Sequence, residues 1–300
     1  MPGCGRRDEP IYSREEEMKS LSIVAAALTT SLVCFQGASA QTADALEAQA
    51  TELRRIIREA PRLSRDVAPI EIAPPHQGWE MGMVSWIAAG DEGLIYLLQR
   101  GEGADPVIAL DRTGRVVQSW GRGLYATPHS VRVDPDGNVW TADAKSSRVL
   151  KFAPDGTYLT EWGSHGSGPG QFQTPHAIDI DSRGRVVVAD RGNDRLQVFD
   201  PDGTFIEAFY QYSRPSGLHI ADDDTVYVAD SASSRNGQHP GWEYGIRIGN
   251  LRDGSLVAFI NGSNPEGVAV APDGTVYGAV VAFGGALLKY VSPDHSTTQR

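Results

Sequence analysis

A unit of forty to fifty residues recurs along the chain, and this repeat constrains the fold more than any other feature. The unit begins at Pro128, Pro175, Pro215 and Pro265, so successive starts are 47, 40 and 50 residues apart. A degenerate first copy runs from residue 84 to residue 97. Within each unit, apolar residues alternate at period two, a turn follows at Asp-Gly or Arg-Gly, and the alternation resumes. This pattern predicts a pair of antiparallel strands.

The second half of each unit predicts two further strands. In the copy that begins at Pro128 they cover residues 148–152 and 158–162, with a Pro-Asp-Gly turn between them. Four short strands per repeat is the pattern of a propeller blade, and such blades are stable only when they stack in a ring. We therefore predict an all-β fold, a β-propeller with five repeats in residues 83–300.

The segment ahead of the propeller, residues 41–82, predicts one helix and a linker. Asp44 and Glu47 have the spacing of a capping box, apolar residues recur on one face, and Pro61 ends the pattern. The helix is expected over residues 44–60, followed by an extended connector over residues 61–82.

The first forty residues predict a leader that is removed. Residues 18–40 contain a basic start, an apolar middle and the small-residue exit Ala38-Ser39-Ala40, which together are typical of a secretory signal peptide. Residues 1–17 carry three glutamates directly ahead of it and are interpreted as an overrun of the true start at Met18. We expect a secreted or periplasmic protein; the alternatives are an uncleaved anchor and a lipoprotein through Cys34.

Charge and cysteine content exclude several classes of protein. The formal net charge of −11 argues against binding to nucleic acid. The two cysteines, Cys4 and Cys34, both precede the expected cleavage site, so neither a disulfide scaffold nor thiol chemistry is expected. After cleavage we expect a monomer without a membrane segment. Its ligand is expected to be a peptide or another small extracytoplasmic molecule in the channel.

The loops that enter the innermost strands contain the candidate site. Two Pro-His pairs fall at this position in successive repeats, which predicts that His129 and His176 point toward the channel from neighbouring blades. Later repeats place Ser216 and Glu266 there, and Glu266 is a candidate oxygen ligand. Two imidazoles suit a zinc site, although zinc usually takes three protein ligands; a structural role for both rings is equally open.

Other polar residues receive different interpretations. Arg100 follows the first inner strand and either holds a substrate carboxylate or is a solvated surface residue. Asp143, Asp190 and Asp230 recur at the expected end of the inner strand and are interpreted as carboxylates that cap turns. The glycine-rich residues 163–170 lack the ending of a phosphate loop, so they are expected to connect two blades.

Residues 189–200, Ala-Asp-Arg-Gly-Asn-Asp-Arg-Leu-Gln-Val-Phe-Asp, resemble the NHL repeat. More narrowly, residues 83–291 resemble peptidyl-α-hydroxyglycine α-amidating lyase, a six-bladed family that cleaves a peptidyl-α-hydroxyglycine into a peptide amide and glyoxylate. The resemblance is carried by Val84-Ser85, Gln99-Arg100-Gly101, Pro128-His129-Ser130 and the run Gly-Pro-Gly-Gln-Phe that leads into Pro175-His176.

The resemblance implies a zinc ion on His129 and His176, and Arg100 as the catalytic arginine. It also implies a structural calcium ion bound by the backbone carbonyls of Ile87 and Val131. Glu266 stands where the family has its third histidine, so it becomes a candidate ligand or base.

Three functions follow as hypotheses. The first is a zinc-assisted C–N lyase with an incomplete ligand set, and the second is a non-catalytic propeller that binds a peptide, glycan or protein. The third, a lactonase-type propeller with calcium in the channel, requires acidic channel residues where His, Ser and Glu are found. Whether the chain is an enzyme is left open at this stage, because propellers serve both catalysis and binding.

Overall fold

The computed structural model describes residues 71–90, 93–233, 243–261, 263–271, 274–281 and 286–290. The expected leader, the expected helix over residues 44–60 and the connector up to residue 70 lie outside the described residues. The described residues form strands and turns, with a short 3-10 helix at Arg191–Asn193 and no α-helix. No helix in these ranges has the length and apolar character needed to cross a bilayer.

Five antiparallel sheets follow one another along the chain, four with four strands and the last with three described strands. The first sheet is formed by β1 to β4, Val84–Ala89, Ile95–Gln99, Val107–Leu110 and Val116–Trp120. The second sheet is formed by β5 to β8, Pro128–Val133, Val139–Asp143, Arg148–Phe152 and Tyr158–Trp162. A two-stranded parallel pair, β9 and β10, follows at Ser164–His165 and Gln171–Phe172.

The remaining three sheets repeat the same order. The third is formed by β11 to β14, Pro175–Ile180, Val186–Asp190, Arg195–Phe199 and Phe205–Phe209. The fourth is formed by β15 to β18, Gly217–Ile220, Thr225–Asp230, Gly245–Asn250 and Leu256–Asn261. The fifth is formed by β19 to β21, Gly267–Val270, Val276–Val280 and Ala286–Tyr290. The all-β propeller with five repeats is confirmed.

Apolar clusters seal four successive junctions between sheets. Ala88 and Leu98 of the first sheet pack with Val131 and Phe152 of the second, and Trp140 of the second sheet belongs to a cluster with the third. Further clusters join the third sheet to the fourth and the fourth to the fifth. Among the described residues, no such cluster joins the fifth sheet to the first, so this junction differs from the other four.

Candidate channel site

At one mouth of the channel, every repeat contributes two positions: the start of its inner strand and the end of its second strand. In each sheet the inner strand pairs antiparallel with the second strand, so the start of the inner strand lies beside the end of the second. Arg100 therefore follows the second strand, β2, rather than the inner strand as the sequence analysis had it, and the pairing of Val84 with Gln99 brings it to the same mouth.

The two histidines each occupy a β-bulge at the start of an inner strand. The register of β5 against β6 shifts between Pro128 and Ser130, so His129 is the extra residue. The same shift between Pro175 and Ala177 makes His176 the extra residue in β11. A bulge redirects a side chain out of the regular alternation. Here the two imidazole rings meet, with centroids 3.5 Å apart.

His176 is buried and held on both ring nitrogens. Its Nδ1 lies 2.7 Å from the carbonyl oxygen of Ser216, and its Nε2 lies 2.8 Å from Nη1 of Arg191. Burial lowers the pKa of the ring, so the ring is neutral at pH 7. The neutral tautomer that fits these contacts carries its hydrogen on Nδ1, which donates to Ser216, and accepts from Arg191 at Nε2.

His129 is also neutral, but one of its ring nitrogens lacks a hydrogen-bond partner. Burial, with the neighbouring His176 and Arg100 adding to it, lowers its pKa to about 2. Its Nδ1 is buried and makes no hydrogen bond within the described part of the chain. An unpartnered buried nitrogen is costly in a static core, and such atoms often mark a ligand position.

Glu266 supplies the negative charge of the site. Its Oε1 lies 3.0 Å from Nε2 of His176 and 3.1 Å from Nη1 of Arg191, and its Oε2 accepts a hydrogen bond from the Ser231 hydroxyl. Burial alone raises the pKa of Glu266, but the Arg191 guanidinium and the Ser231 hydroxyl outweigh burial and hold the pKa below its usual range. Glu266 is therefore ionised at neutral pH.

Arg191 and Ser231 are site residues that the sequence analysis missed. Each directly follows one of the recurring aspartates, Asp190 and Asp230, at the end of a second strand. Nη2 of Arg191 lies 3.3 Å from the Ser231 hydroxyl, which also lies 2.9 Å from the hydroxyl of Ser216. The sequence repeat could have identified both residues. The position after each recurring aspartate lies at the same channel mouth as the histidines.

Arg100 has a guanidinium group that is only partly engaged. Its Nε donates to the carbonyl oxygen of Pro128 at 2.9 Å, and burial lowers its pKa although Glu266 opposes the shift. Arg100, His129 and Glu266 line a common cavity of about 430 Å³. The cavity continues between the first and fifth sheets.

The donor types at this mouth suit zinc. Two neutral imidazoles and an ionised carboxylate are ligands that zinc takes, and Nδ1 of His129 lacks a protein partner. In the described conformation, Nη1 of Arg191 stands at Nε2 of His176 and Oε1 of Glu266, where a metal ion would compete with it. No three His, Cys, Asp or Glu side chains of the described ranges are arranged to hold a metal ion. Zinc binding therefore requires Arg191 to move.

The two carbonyls that the resemblance implies for calcium fit a divalent cation poorly. The carbonyl oxygen of Val131 lies 3.5 Å from Nη1 of Arg132. The same guanidinium donates through Nε to Asp179 and through Nη2 to the carbonyl of Leu218, both at 2.9 Å. A cation already crosses the channel here, and it would repel calcium at Val131. Ile87, the other expected contributor, is 57% exposed.

The recurring aspartates cap turns, and His165 lies in the segment between two sheets. Asp143 accepts hydrogen bonds from the backbone N–H groups of Ala126 and Thr127, and Asp230 from those of Ala232 and Ser233, as carboxylates that cap turns do. These aspartates end second strands rather than inner ones. His165 lies exposed in β9 between the second and third sheets.

The comparisons with known proteins agree with this fold. The family model described as the NHL repeat matches residues 125–152 and 172–199, which contain the first three strands of the second and third sheets. A solved structure titled as a streptogramin B lyase superposes with a TM-score of 0.50 at 17% identity, over 72% of this chain and 70% of that one. At this identity the likeness concerns the fold alone.

Two curated relatives match over short segments. Peptidyl-alpha-hydroxyglycine alpha-amidating lyase 1 of Drosophila melanogaster is 41% identical over 51 residues, which are 17% of this chain and 9% of that protein. Lyase 2 of the same organism is 30% identical over 66 residues, 21% of this chain and 16% of that protein. The chain thus spans less than a fifth of the length of either relative. The described residues form a β-propeller that contains two NHL-repeat matches and is similar, over short segments, to the peptidyl-α-hydroxyglycine α-amidating lyases.

Proposed function

We propose that the channel mouth is the site of a zinc-assisted lyase that cleaves the C–N bond of a peptide ending in α-hydroxyglycine. The observation that carries the proposal is the convergence of His129, His176 and Glu266 at a cavity that His129, Glu266 and Arg100 line. The similarity to two amidating lyases supports it.

In this proposal each residue of the chain has a distinct role. Arg100 binds the terminal carboxylate, because its two Nη groups make no hydrogen bond with the described residues and lie at the cavity. Glu266, held ionised, joins His129 and His176 as a ligand rather than serving as the base. Zinc, when bound, supplies Lewis-acid polarisation of the substrate hydroxyl.

The reaction balances without a co-reactant. The C–N bond breaks, the carbon that carried the hydroxyl becomes the aldehyde of glyoxylate, and the hydroxyl loses its proton. The amide nitrogen gains a proton and leaves as a primary amide.

The test measures metal content and glyoxylate together. We expect purified protein to bind one zinc ion, and we expect glyoxylate release from an N-acyl-α-hydroxyglycine to depend on that ion. His129→Ala and His176→Ala should lose both zinc and activity, whereas Asp136→Asn, an exposed position in a turn of the second sheet, should keep both. Absence of glyoxylate with and without added zinc would refute the lyase.

A specific observation favours a second function, a binding propeller without catalysis. Arg191 neutralises Glu266 and caps Nε2 of His176, so the cluster is electrostatically complete without a metal ion. Glu266 also replaces the third histidine that the resemblance implies. Zinc-free protein that binds acylglycines with unchanged affinity after chelation would support this function.

We also propose that the chain is exported through residues 18–40 and acts outside the cytoplasm. The basic start, apolar middle and small-residue exit of that segment support the proposal. N-terminal sequencing of the exported protein should give a first residue near Gln41. A mature protein that retains residues 18–40 would contradict cleavage.

A further inference from the structure

Within the described residues, the junction between the fifth and first sheets is an open cleft. At the other four junctions, buried clusters contain side chains from both neighbouring sheets. Here the facing elements, β1 on one side and β19 with β20 on the other, border the cavity of about 430 Å³ that begins at Arg100. That volume lies within the usual range for sites of small molecules.

The walls of the cleft are apolar and exposed. Met83, Val84 and Ile87 on the first sheet are 58%, 42% and 57% exposed, and Val281 beyond β20 is 65% exposed. All four line the cavity together with Ala269. At a sealed junction, equivalent side chains would be buried, so these residues retain apolar surface that a ligand can remove from water.

The inner end of the cleft contains the Arg100 guanidinium together with the Glu266 carboxylate. Arg100 uses Nε for the carbonyl of Pro128, and its Nη groups form no hydrogen bond with other described residues. A guanidinium with a free fork binds a carboxylate through two parallel hydrogen bonds. A ligand that fits both ends therefore combines a carboxylate with an apolar group a few atoms away.

We propose that the cleft between the first and fifth sheets selects ligands in which a bulky apolar acyl group or side chain directly precedes a terminal glycine-type carboxylate. Arg100 binds the carboxylate, and the apolar group lies against Ile87, Val84 and Val281. This inference rests on the proposed function for its placement of the carboxylate, and it names the class of substrate for that function. Ligands with a charged or very small group at that position bind weakly.

The test measures binding rather than turnover. Benzoylglycine, acetylglycine and benzoylglycinamide lack the hydroxyl, so they report the two ends of the cleft without reaction. By calorimetry on the full chain, benzoylglycine should bind about tenfold or more tightly than acetylglycine, because it buries a ring. Benzoylglycinamide should lose at least about tenfold, because it lacks the carboxylate.

Variants separate the two ends. Ile87→Asp should abolish the preference for benzoylglycine over acetylglycine, and Arg100→Met should weaken both acids. Val257→Asp is the matched control, because Val257 is 60% exposed on the outer strand β18 of the fourth sheet, and it should change neither affinity. Equal affinities for the two acids in the unaltered protein would overturn the inference, as would a preference that survives Ile87→Asp.

The experiments distinguish failure of the cleft inference from failure of the proposed lyase function. Glyoxylate release that does not depend on the size of the acyl group would retain the proposed function and reject the cleft. Selective binding of benzoylglycine without glyoxylate release would retain the cleft and reject the lyase. If neither acid binds and Ile87→Asp reduces the mass in sedimentation, a second copy of the chain covers the cleft and the inference is wrong.

Discussion

At the scale of single residues, Arg191 decides the charge of the site. Its Nη1 lies within hydrogen-bond distance of both His176 and Glu266, so it occupies the place in which a metal ion would meet these two ligands. The guanidinium cannot lose its proton at neutral pH. Zinc and Arg191 therefore compete for the same lone pairs.

This competition predicts the effect of removing the guanidinium. Arg191→Met should raise the affinity for zinc by about tenfold or more, because zinc no longer has to break two charge-assisted contacts of about 1–2 kcal/mol each. Competition with a chromophoric chelator measures the change. Arg122→Met, which alters an exposed ion pair with Asp105, is the control. Unchanged zinc affinity in Arg191→Met would show that the two cations do not share a site.

A second residue-scale prediction concerns the buried carboxylate of Asp190. It accepts hydrogen bonds from the backbone N–H of Gln173 at 2.7 Å, Nδ2 of Asn193 at 2.8 Å and Nε of Arg195 at 2.9 Å. Asp190→Ala leaves the buried Arg195 without its counter-charge, which should reduce the free energy of unfolding by about 3–5 kcal/mol. Urea denaturation measures the loss, and Asp136→Asn should show none. A loss below about 1 kcal/mol would contradict this role.

At the scale of strands, Arg132 links three inner strands across the channel. It belongs to β5, pairs with Asp179 of β11 and donates to the carbonyl of Leu218 in β15. Its guanidinium carbon also lies 5.8 Å from the centre of the Trp86 ring in β1. One side chain thus joins its own sheet to three others, and a metal ion in the channel would have the same mechanical role.

Arg132→Met should therefore destabilise the propeller, whereas added calcium should not stabilise it. Removal of the guanidinium leaves the buried Asp179 carboxylate without its ion-pair partner, so we expect a loss of about 2–4 kcal/mol in the free energy of unfolding. The unfolding midpoint of zinc-free protein should be the same with and without added calcium. A large rise of that midpoint in calcium would restore the structural calcium expected from the family resemblance.

The strands and the mouth of the channel could be predicted from the sequence, but the partners at the mouth could not. Period-two alternation and Asp-Gly turns depend on local backbone preference, so they located β5 to β8 closely. The contacts of Arg191 with Glu266 and of Arg132 with Leu218 span 75 and 86 residues along the chain. Such contacts depend on how sheets stack around the channel, and a repeat pattern carries no information on that arrangement.

At the scale of the whole molecule, the open junction makes the ring uneven. The third sheet lies between two sealed junctions, and every residue of β12 and β13 is buried. The first sheet has one sealed and one open side, and in β1 only Ala88 is fully buried. Local opening is easiest where few apolar contacts hold a strand. The first and fifth sheets should therefore open before the third.

Hydrogen exchange followed by mass spectrometry tests this order directly. Amides of β1 and β19 should exchange at least about tenfold faster than amides of β12 and β13, because the weaker sheets open at lower free energy. Saturating benzoylglycine should slow exchange in β1 and β19 and leave β12 unchanged, because a ligand in the cleft supplies the apolar contact that the other junctions obtain from a neighbouring sheet. Acetylglycine at equal occupancy should protect less, since it reaches Arg100 but not Ile87. Uniform protection of all five inner strands without ligand would mean that the ring is closed in solution, and the cleft would then not be available to a substrate.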